Sequence, residues 1–336
     1  MSNIYVISEG GKLNRSNALL SFTRYDGSGL TIRPQKIQTL VLIGKVTLTA
    51  EAMRLISMNR MQVLFLSANG DFNSKLVYDE SKNTNLRMMQ YAFHLNTERC
   101  LRISKQIIGA KIRNQIAFIQ RIKRKRPECS DKDMNSIVDT CKQKLTAVRE
   151  AASIEELRGL EGCTARAYFK AIRANIIPEW ADFEKRSKNP PKSNVNAVLS
   201  FLYPLLRFRV EAAIRAQNLD PMLPIMHAQS YGKSSLSYDL MEEFRAPVAD
   251  TTCCALFNLG TLCAEDFKTG DQAEDYEHLD PAGIYLTKEG LKKTAAAFEA
   301  KMESEAGYQA AIFEQAERLR RVIENAEEDY EPFVFK

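Results

Sequence analysis

Two hydrophobic periods divide the chain. Over residues 1–80 apolar side chains come in short runs, many of them β-branched. Ile4-Tyr5-Val6-Ile7 and residues 19–24, 30–33, 40–43, 63–66 and 75–78 predict strands. Turn sequences such as Asp26-Gly27-Ser28-Gly29 and Ala68-Asn69-Gly70-Asp71 separate them. Residues 49–59 break the pattern: Thr49 can cap, Glu51 supports a first turn, and Met53, Leu55, Ile56 and Met58 form an apolar face. That combination predicts a short helix. Short strands with one inserted helix predict a small β-sandwich.

After residue 79 the period becomes helical. Leu86, Met89, Phe93, Ile103, Ile107, Ile108, Ile112, Ile116 and Ile119 recur at helical spacing across residues 83–126, a stretch without proline. One long helix or two in succession is expected there. Further helical patterns cover about 130–147, 153–174, 194–218, 236–260, 287–303 and 307–328, with breaks at Pro127, Pro178, Pro190-Pro191 and Pro221. Residues 268–280 read as a polar surface loop. The expected class is therefore α+β: an N-terminal β-sandwich domain followed by an all-helical C-terminal domain. A chain of 336 residues suits two such domains.

Charge adds a partner class. Residues 84–250 carry 28 basic against 18 acidic side chains, whereas residues 251–336 carry 9 against 18. Between Thr97 and Arg126 ten basic residues accompany one acid, Glu98. Arg99, Arg102, Lys105 and Arg113 can share a helical face, which would meet nucleic-acid phosphates without regard to sequence. Seven unevenly spaced cysteines do not read as a disulfide framework and suggest reduced thiols in a cytoplasmic protein. Adjacent Cys253 and Cys254 lack the paired spacing of a zinc site. No stretch is long and apolar enough to predict a membrane span, and the start has no signal-peptide pattern. The acidic stretch 327–335 would either bind a partner or keep the surface soluble.

Candidate chemistry lies in three places. Glu161 falls in a helical stripe with Leu157, Thr164, Tyr168 and Ile172, and a carboxylate in such a stripe calls for a partner or a cation. Arg166 is one possible partner. The flanking Gly159 and Gly162 could allow close approach of a substrate. His227 follows a segment fixed by Pro221 and Pro224. Gly232 and the serines after it lead into a helix bearing Asp239 and Glu242 three residues apart on one face. One imidazole with carboxylates suits Mg²⁺ or Mn²⁺ better than a thiolate metal. No acid adjacent in sequence orients His227 as in a catalytic triad, which favours a ligand over a general base. Tyr168 and Tyr203 lack the Arg/His cluster of a tyrosine recombinase and read as core residues.

Three motifs in order resemble the CRISPR adaptation integrase, the larger of the two universal spacer-acquisition proteins. They are L-R-G-L-E-G-C-T-A-R-A-Y-F at 157–169, N-P-P-K-S-N-V-N-A-V-L-S-F-L-Y at 189–203, and L-D-P at 219–221 continued by H-A-Q-S-Y-G-K-S-S-L-S-Y-D-L-M-E-E-F-R at 227–245. The family's proline directly after Phe-Arg is displaced by Ala246 here, and its Asp-Pro before the second motif's Asn-Ala is Ser193-Asn194. The resemblance implies a dimerisation domain at 1–82 and a catalytic and DNA-binding domain at 83–336. It implies Glu161, His227 and Glu242 as catalytic metal ligands, with Asp239 supporting them, and Mg²⁺ or Mn²⁺ as the ion. Arg166, Lys233 and Arg245 would hold phosphates nearby. The implied activity is joining the 3′-hydroxyl ends of double-stranded spacer DNA to the repeat. A homodimer working with a small ferredoxin-like partner protein would perform it. Cutting without joining would need the same centre, and a non-catalytic nucleic-acid-binding protein would need only the basic helix.

Overall fold

The computed structural model describes residues 2–76, 83–126, 132–272, 279–325 and 328–335. The expected domain boundary at 82/83, the Pro127 break, the end of the 75–78 strand and Glu327 lie outside these residues. The chain opens with β1 (Ser2–Ser16), β2 (Leu19–Arg24), β3 (Gly29–Ile32), β4 (Ile37–Leu48), α1 (Ala50–Met58), β5 (Gln62–Leu66) and β6 (Phe72–Leu76). The six strands form one continuous sheet in the order β3-β2-β1-β4-β5-β6, with β1–β4 and β4–β5 parallel.

Side-chain alternation distributes β4 and β5 between two cores. Leu40, Leu42 and Val63 pack with Ala52, Leu55 and Ile56 of α1. Val41, Ile43, Leu64 and Leu66 face the helical region and join its core. The Thr49 side chain caps α1 by accepting from Ala52 N at 3.3 Å. Strand β1 is much longer than its Ile4–Ile7 signal because a bulge between Ser8 and Gly11 lets its second half keep pairing with β4. Gly44 faces that bulge at φ +94°, where an added Cβ would lie 2.2 Å from the Ser8 carbonyl oxygen.

The helical region follows: α2 (Thr84–Leu95), α3 (Thr97–Lys125), α4 (Lys132–Glu150), α5 (Ile154–Asn175), α6 (Asn194–Ala216), α7 (Ser235–Met241), α8 (Thr251–Asn258), then α9 (Lys288–Met302) and α10 (Tyr308–Glu324). Asn96 divides the long basic stretch into α2 and α3, and its side chain accepts from Arg99 N at 2.9 Å. Between α8 and α9 a short antiparallel ladder pairs β7 (Phe267–Thr269), at the start of the stretch read as a loop, with β8 (Ile284–Leu286), just before the expected helix at 287–303. The pattern at 236–260 is not one helix either. It breaks after α7 and resumes through a π-helical turn at Arg245–Asp250 before α8. A π turn takes up one residue more than an α turn, and both Ala246 and Pro247 fall within it.

Helix α3 is the centre of the region rather than a basic rim: Ile103, Ile107, Ile108, Ile112, Ile119 and even Lys111 are buried. Arg99 donates to Val322 O at 2.7 Å, Lys105 donates to Arg149 O at 3.1 Å, and Arg102 pairs with Asp329 at 3.8 Å. Arg113 is half-buried, and burial followed by the neighbouring Arg149 charge lowers its pKa. The four candidate DNA contacts on this helix are thus engaged with the protein itself or partly covered.

The acidic C-terminal stretch also turns inward. Tyr330 is buried with its hydroxyl on Glu243, and Phe333 N donates to the same carboxylate at 2.6 Å. The Phe333 ring stacks on Phe244 at 4.9 Å, and Phe335 N donates to Asn114 Oδ1 at 2.7 Å. Among the described residues the cysteines are free thiols, Cys253 and Cys254 buried. No helix of the described residues is long and apolar enough to cross a membrane.

Candidate metal and DNA site

Five segments converge behind one cleft. Helix α5 begins at a Ser153 cap, whose hydroxyl accepts from Glu156 N at 3.1 Å. It buries the stripe Leu157, Thr164, Tyr168 and Ile172. Glu161 lies at the edge of that stripe with its side chain 30% exposed. Its partner is not Arg166, which is exposed and contacts Cys163 Sγ at 3.2 Å. The partner is Lys111 of α3, whose ammonium contacts Glu161 Oε1 and also lies 2.6 Å from Glu242 Oε2. An added Cβ at Gly159 or Gly162 would meet no neighbouring element within 4 Å, so α5 faces open space at both glycines.

Glu242 sits just past α7, fully enclosed. Arg245 donates to its Oε1 at 2.7 Å. Burial favours the protonated acid, but Arg245 and Lys111, with His227, more than offset it and hold the carboxyl at about 2. Glu242 Oε2 accepts no aligned hydrogen bond despite the nearby ammonium.

His227 is held from behind. Asp239, buried on α7, accepts from Ile225 N at 2.6 Å, Met226 N at 3.2 Å and His227 N at 2.9 Å. Its Oδ1 also lies 2.6 Å from His227 Nδ1. An acid twelve residues away in sequence therefore orients the imidazole, contrary to the triad argument above. With Nδ1 engaged, Nε2 is the nitrogen left for other chemistry. Burial opposes the imidazolium, but the hydrogen bond and charge of Asp239, together with Glu242, raise the His227 pKa above its ordinary value. Arg158, one turn before Glu161, donates from Nε to Met226 O at 3.0 Å and ties α5 to this loop.

The donor set is two carboxylates and one imidazole, without a thiolate. That suits a hard divalent cation of the Mg²⁺ or Mn²⁺ kind, which would have to take Glu242 Oε2 from the Lys111 ammonium. As the side chains stand, no three His, Cys, Asp or Glu among the described residues converge closely enough to hold an ion. The Lys111 ammonium lies between the two glutamates instead.

Beside this centre opens a cleft of about 570 Å³, lined by Arg186, Lys188, Arg207, Arg245, Tyr203 and Tyr238 among others. Tyr238 places its ring 5.9 Å from that of His227. Arg207 stacks between Phe72 and Tyr238, at 5.3 and 5.4 Å from their ring centres. Asp71 and Asp280 also line it, and Arg207 and Arg245 pair with Glu211 and Glu242; the remaining positive charge with the aromatic faces suits phosphates and bases of a nucleic-acid strand. Lys233 is exposed on the loop before α7. Tyr168 and Tyr203 are buried and donate to Asp250 at 2.9 and 2.7 Å, in line with a core role.

Sequence reading missed Lys111, Arg186 and Lys188. Lys111 did carry a signal: it sits among Ile107, Ile108, Gly109, Ala110 and Ile112, an apolar setting for a charge. Arg186 and Lys188 carried none, because only the fold brings the segment before α6 to the Glu242 side.

This architecture, a sheet feeding a helical body, recurs in solved structures. The whole chain superposes on 99% of a Cas1 protein from Thermotoga maritima (TM-score 0.83, 22% identity). It also superposes on 95% of a casposase bound to integration product (TM-score 0.85, 23% identity). The sequence matches the family described as CRISPR associated protein Cas1 over residues 4–300, and the chain belongs to that family. Curated relatives include the CRISPR-associated endonuclease Cas1 4 of Methanospirillum hungatei, 27% identical over 99% of this chain and 91% of its own. Another is the CRISPR-associated endonuclease Cas1 3 of Thermus thermophilus, 28% identical over 99% of this chain and 97% of its own.

Proposed function

We propose that this chain is a metal-dependent DNA integrase and endonuclease of CRISPR adaptation that joins the 3′-hydroxyl ends of spacer DNA to the repeat by transesterification. The observation that carries the reading is that Lys111 joins Glu161 to Glu242, and Asp239 orients His227, next to a cleft lined by cations and aromatic rings. Glu161, Glu242 and His227 Nε2 would hold Mg²⁺ or Mn²⁺. Bound there, such an ion supplies Lewis-acid polarisation of the scissile phosphate. Asp239 fixes the imidazole ring and keeps Nε2 turned to the site. Arg245 holds Glu242 and, with Arg186 and Lys188, offers positive charge to the phosphates of the entering strand. In joining, the 3′-oxygen of the spacer bonds to phosphorus as the P–O bond to the repeat strand's own 3′-oxygen breaks; the attacking hydroxyl gives its proton to solvent and the departing oxygen takes one up. Water in place of the 3′-hydroxyl gives cutting by the same residues, and the endonuclease names of the curated relatives favour that activity alongside joining.

The protein works in this reading as a homodimer in the cytoplasm, with a small ferredoxin-like partner. A Cas6-RT-Cas1–Cas2 complex has a chain that this one matches over 36% of its length (TM-score 0.85), which supports an assembly of that kind. The test is strand transfer of a labelled duplex into a supercoiled CRISPR-array plasmid, with Mn²⁺, Mg²⁺ or chelator and with or without the partner. His227→Ala and Glu161→Ala should abolish joined product and leave DNA binding nearly unchanged. Joining at the normal rate by either variant would refute the site, and binding indifferent to chelator without any product would refute the enzyme.

A further inference from the structure

We infer that Lys111 is a resident cation: it holds the two carboxylates of the centre together in the metal-free protein and is displaced when a divalent ion binds. The inference rests on the metal reading above and adds a residue to it. Lys111 is only 4% exposed, and its ammonium contacts both Glu161 and Glu242. Without it, two carboxylates would face each other in a largely buried space, which is costly.

The two glutamates divide their cations unequally. Arg245 grips Glu242 Oε1 at 2.7 Å in an aligned hydrogen bond. Lys111 lies against Oε2 without alignment. A guanidinium is a rigid fork, whereas an ammonium is a point charge on a flexible four-carbon stem, the more easily withdrawn. Charge balance agrees. Glu161 and Glu242 are already matched by Lys111 and Arg245, so a dication can enter the same oxygens favourably only if one cation withdraws. An arriving phosphate would balance the charge that remains. Lys111 is thus a positioning residue, acting through the carboxylates.

Removing the ammonium removes a competitor. The apparent affinity for the ion is then no longer reduced by the fraction of protein in the lysine-bound state. Lys111→Met keeps the stem and deletes the charge. Mn²⁺ titrated into the purified, chelator-treated protein, followed by melting temperature and by calorimetry, should bind Lys111→Met about tenfold more tightly than wild type. The metal-free variant should melt lower than wild type, and Mn²⁺ should raise its melting temperature by more. Should Lys111→Met fail to fold without metal, Lys111→Met combined with Glu161→Gln removes the repulsion and should recover a metal-free fold. Failure of that rescue would count against the proposed repulsion. Equal or weaker Mn²⁺ binding by Lys111→Met, with wild type responding to Mn²⁺ and His227→Ala not, would overturn this inference alone. No Mn²⁺ response in wild type would overturn the metal centre and this inference with it.

Discussion

Asp239 offers the sharpest test of how the site is held. Its carboxylate accepts three backbone N–H groups, from Ile225, Met226 and His227, and engages His227 Nδ1. Oδ2 serves Ile225 and Met226, and Oδ1 serves His227 twice. Asp239→Asn keeps the shape but can keep an acceptor on one side only. Its amide group must then face either the two N–H donors of Ile225 and Met226 or the His227 N–H together with Nδ1, where the charge-assisted bonds are lost. Hydrogen bonds to a charged group contribute about 1.5–3 kcal/mol each, so losing two corresponds to about 3–6 kcal/mol. Relief from burying the charge offsets part of that, which leaves about 3 kcal/mol as the expected destabilisation. Urea denaturation of the metal-free protein measures it. The same change frees the imidazole from its orienting partner, and losses of that kind cost about 10–100-fold in metal affinity or activity. The His227 pKa should also fall, since Asp239 is the main group that raises it. A variant within about 0.5 kcal/mol of wild type, the range of an ordinary surface change, would refute the reasoning.

Burial lifts the Glu243 carboxyl from 4.5 to about 8, against the pull of the Tyr330 and Phe333 hydrogen bonds. The folded chain therefore holds a proton that the unfolded chain releases in that interval. This contribution to stability is complete below 4.5 and lost as the pH rises through about 8. Melting temperatures across that range should decline, and Glu243→Gln should flatten the decline; an unchanged slope would contradict it. Tyr203→Phe removes one of two hydroxyl donors to buried Asp250. It should destabilise by about 1–3 kcal/mol in chemical denaturation, and a neutral result would show that the pair is dispensable. Lys188→Ala should weaken DNA binding evenly across sequences and reduce the salt slope by about one, read by anisotropy at several salt concentrations; an unaltered slope would remove Lys188 from the strand path.

Much of the fold was legible because periodicity is local. Alternation over residues 1–76 and the spacing of Leu, Ile and Phe after it mark which side chains seek a core, whatever that core turns out to be. Caps were readable for the same reason: Thr49 bonds within its own helix turn. The motif acids and histidine were singled out through resemblance, and the stripe argument set Glu161 on a buried face, at whose edge it lies. Partners were not legible. Lys111 and Glu161 are 50 residues apart, and Glu243 and Phe333 are 90 apart. No local pattern encodes such meetings. A run of ten basic residues looked like one polyanion-binding surface. Packing buried one of them between two glutamates and turned three others onto carbonyls. The sequence by itself determined which residues carry charge and which stretches curl into helices or extend. Only the tertiary structure decided which charges meet, because an ion pair depends on where distant segments pack and how much water their packing excludes.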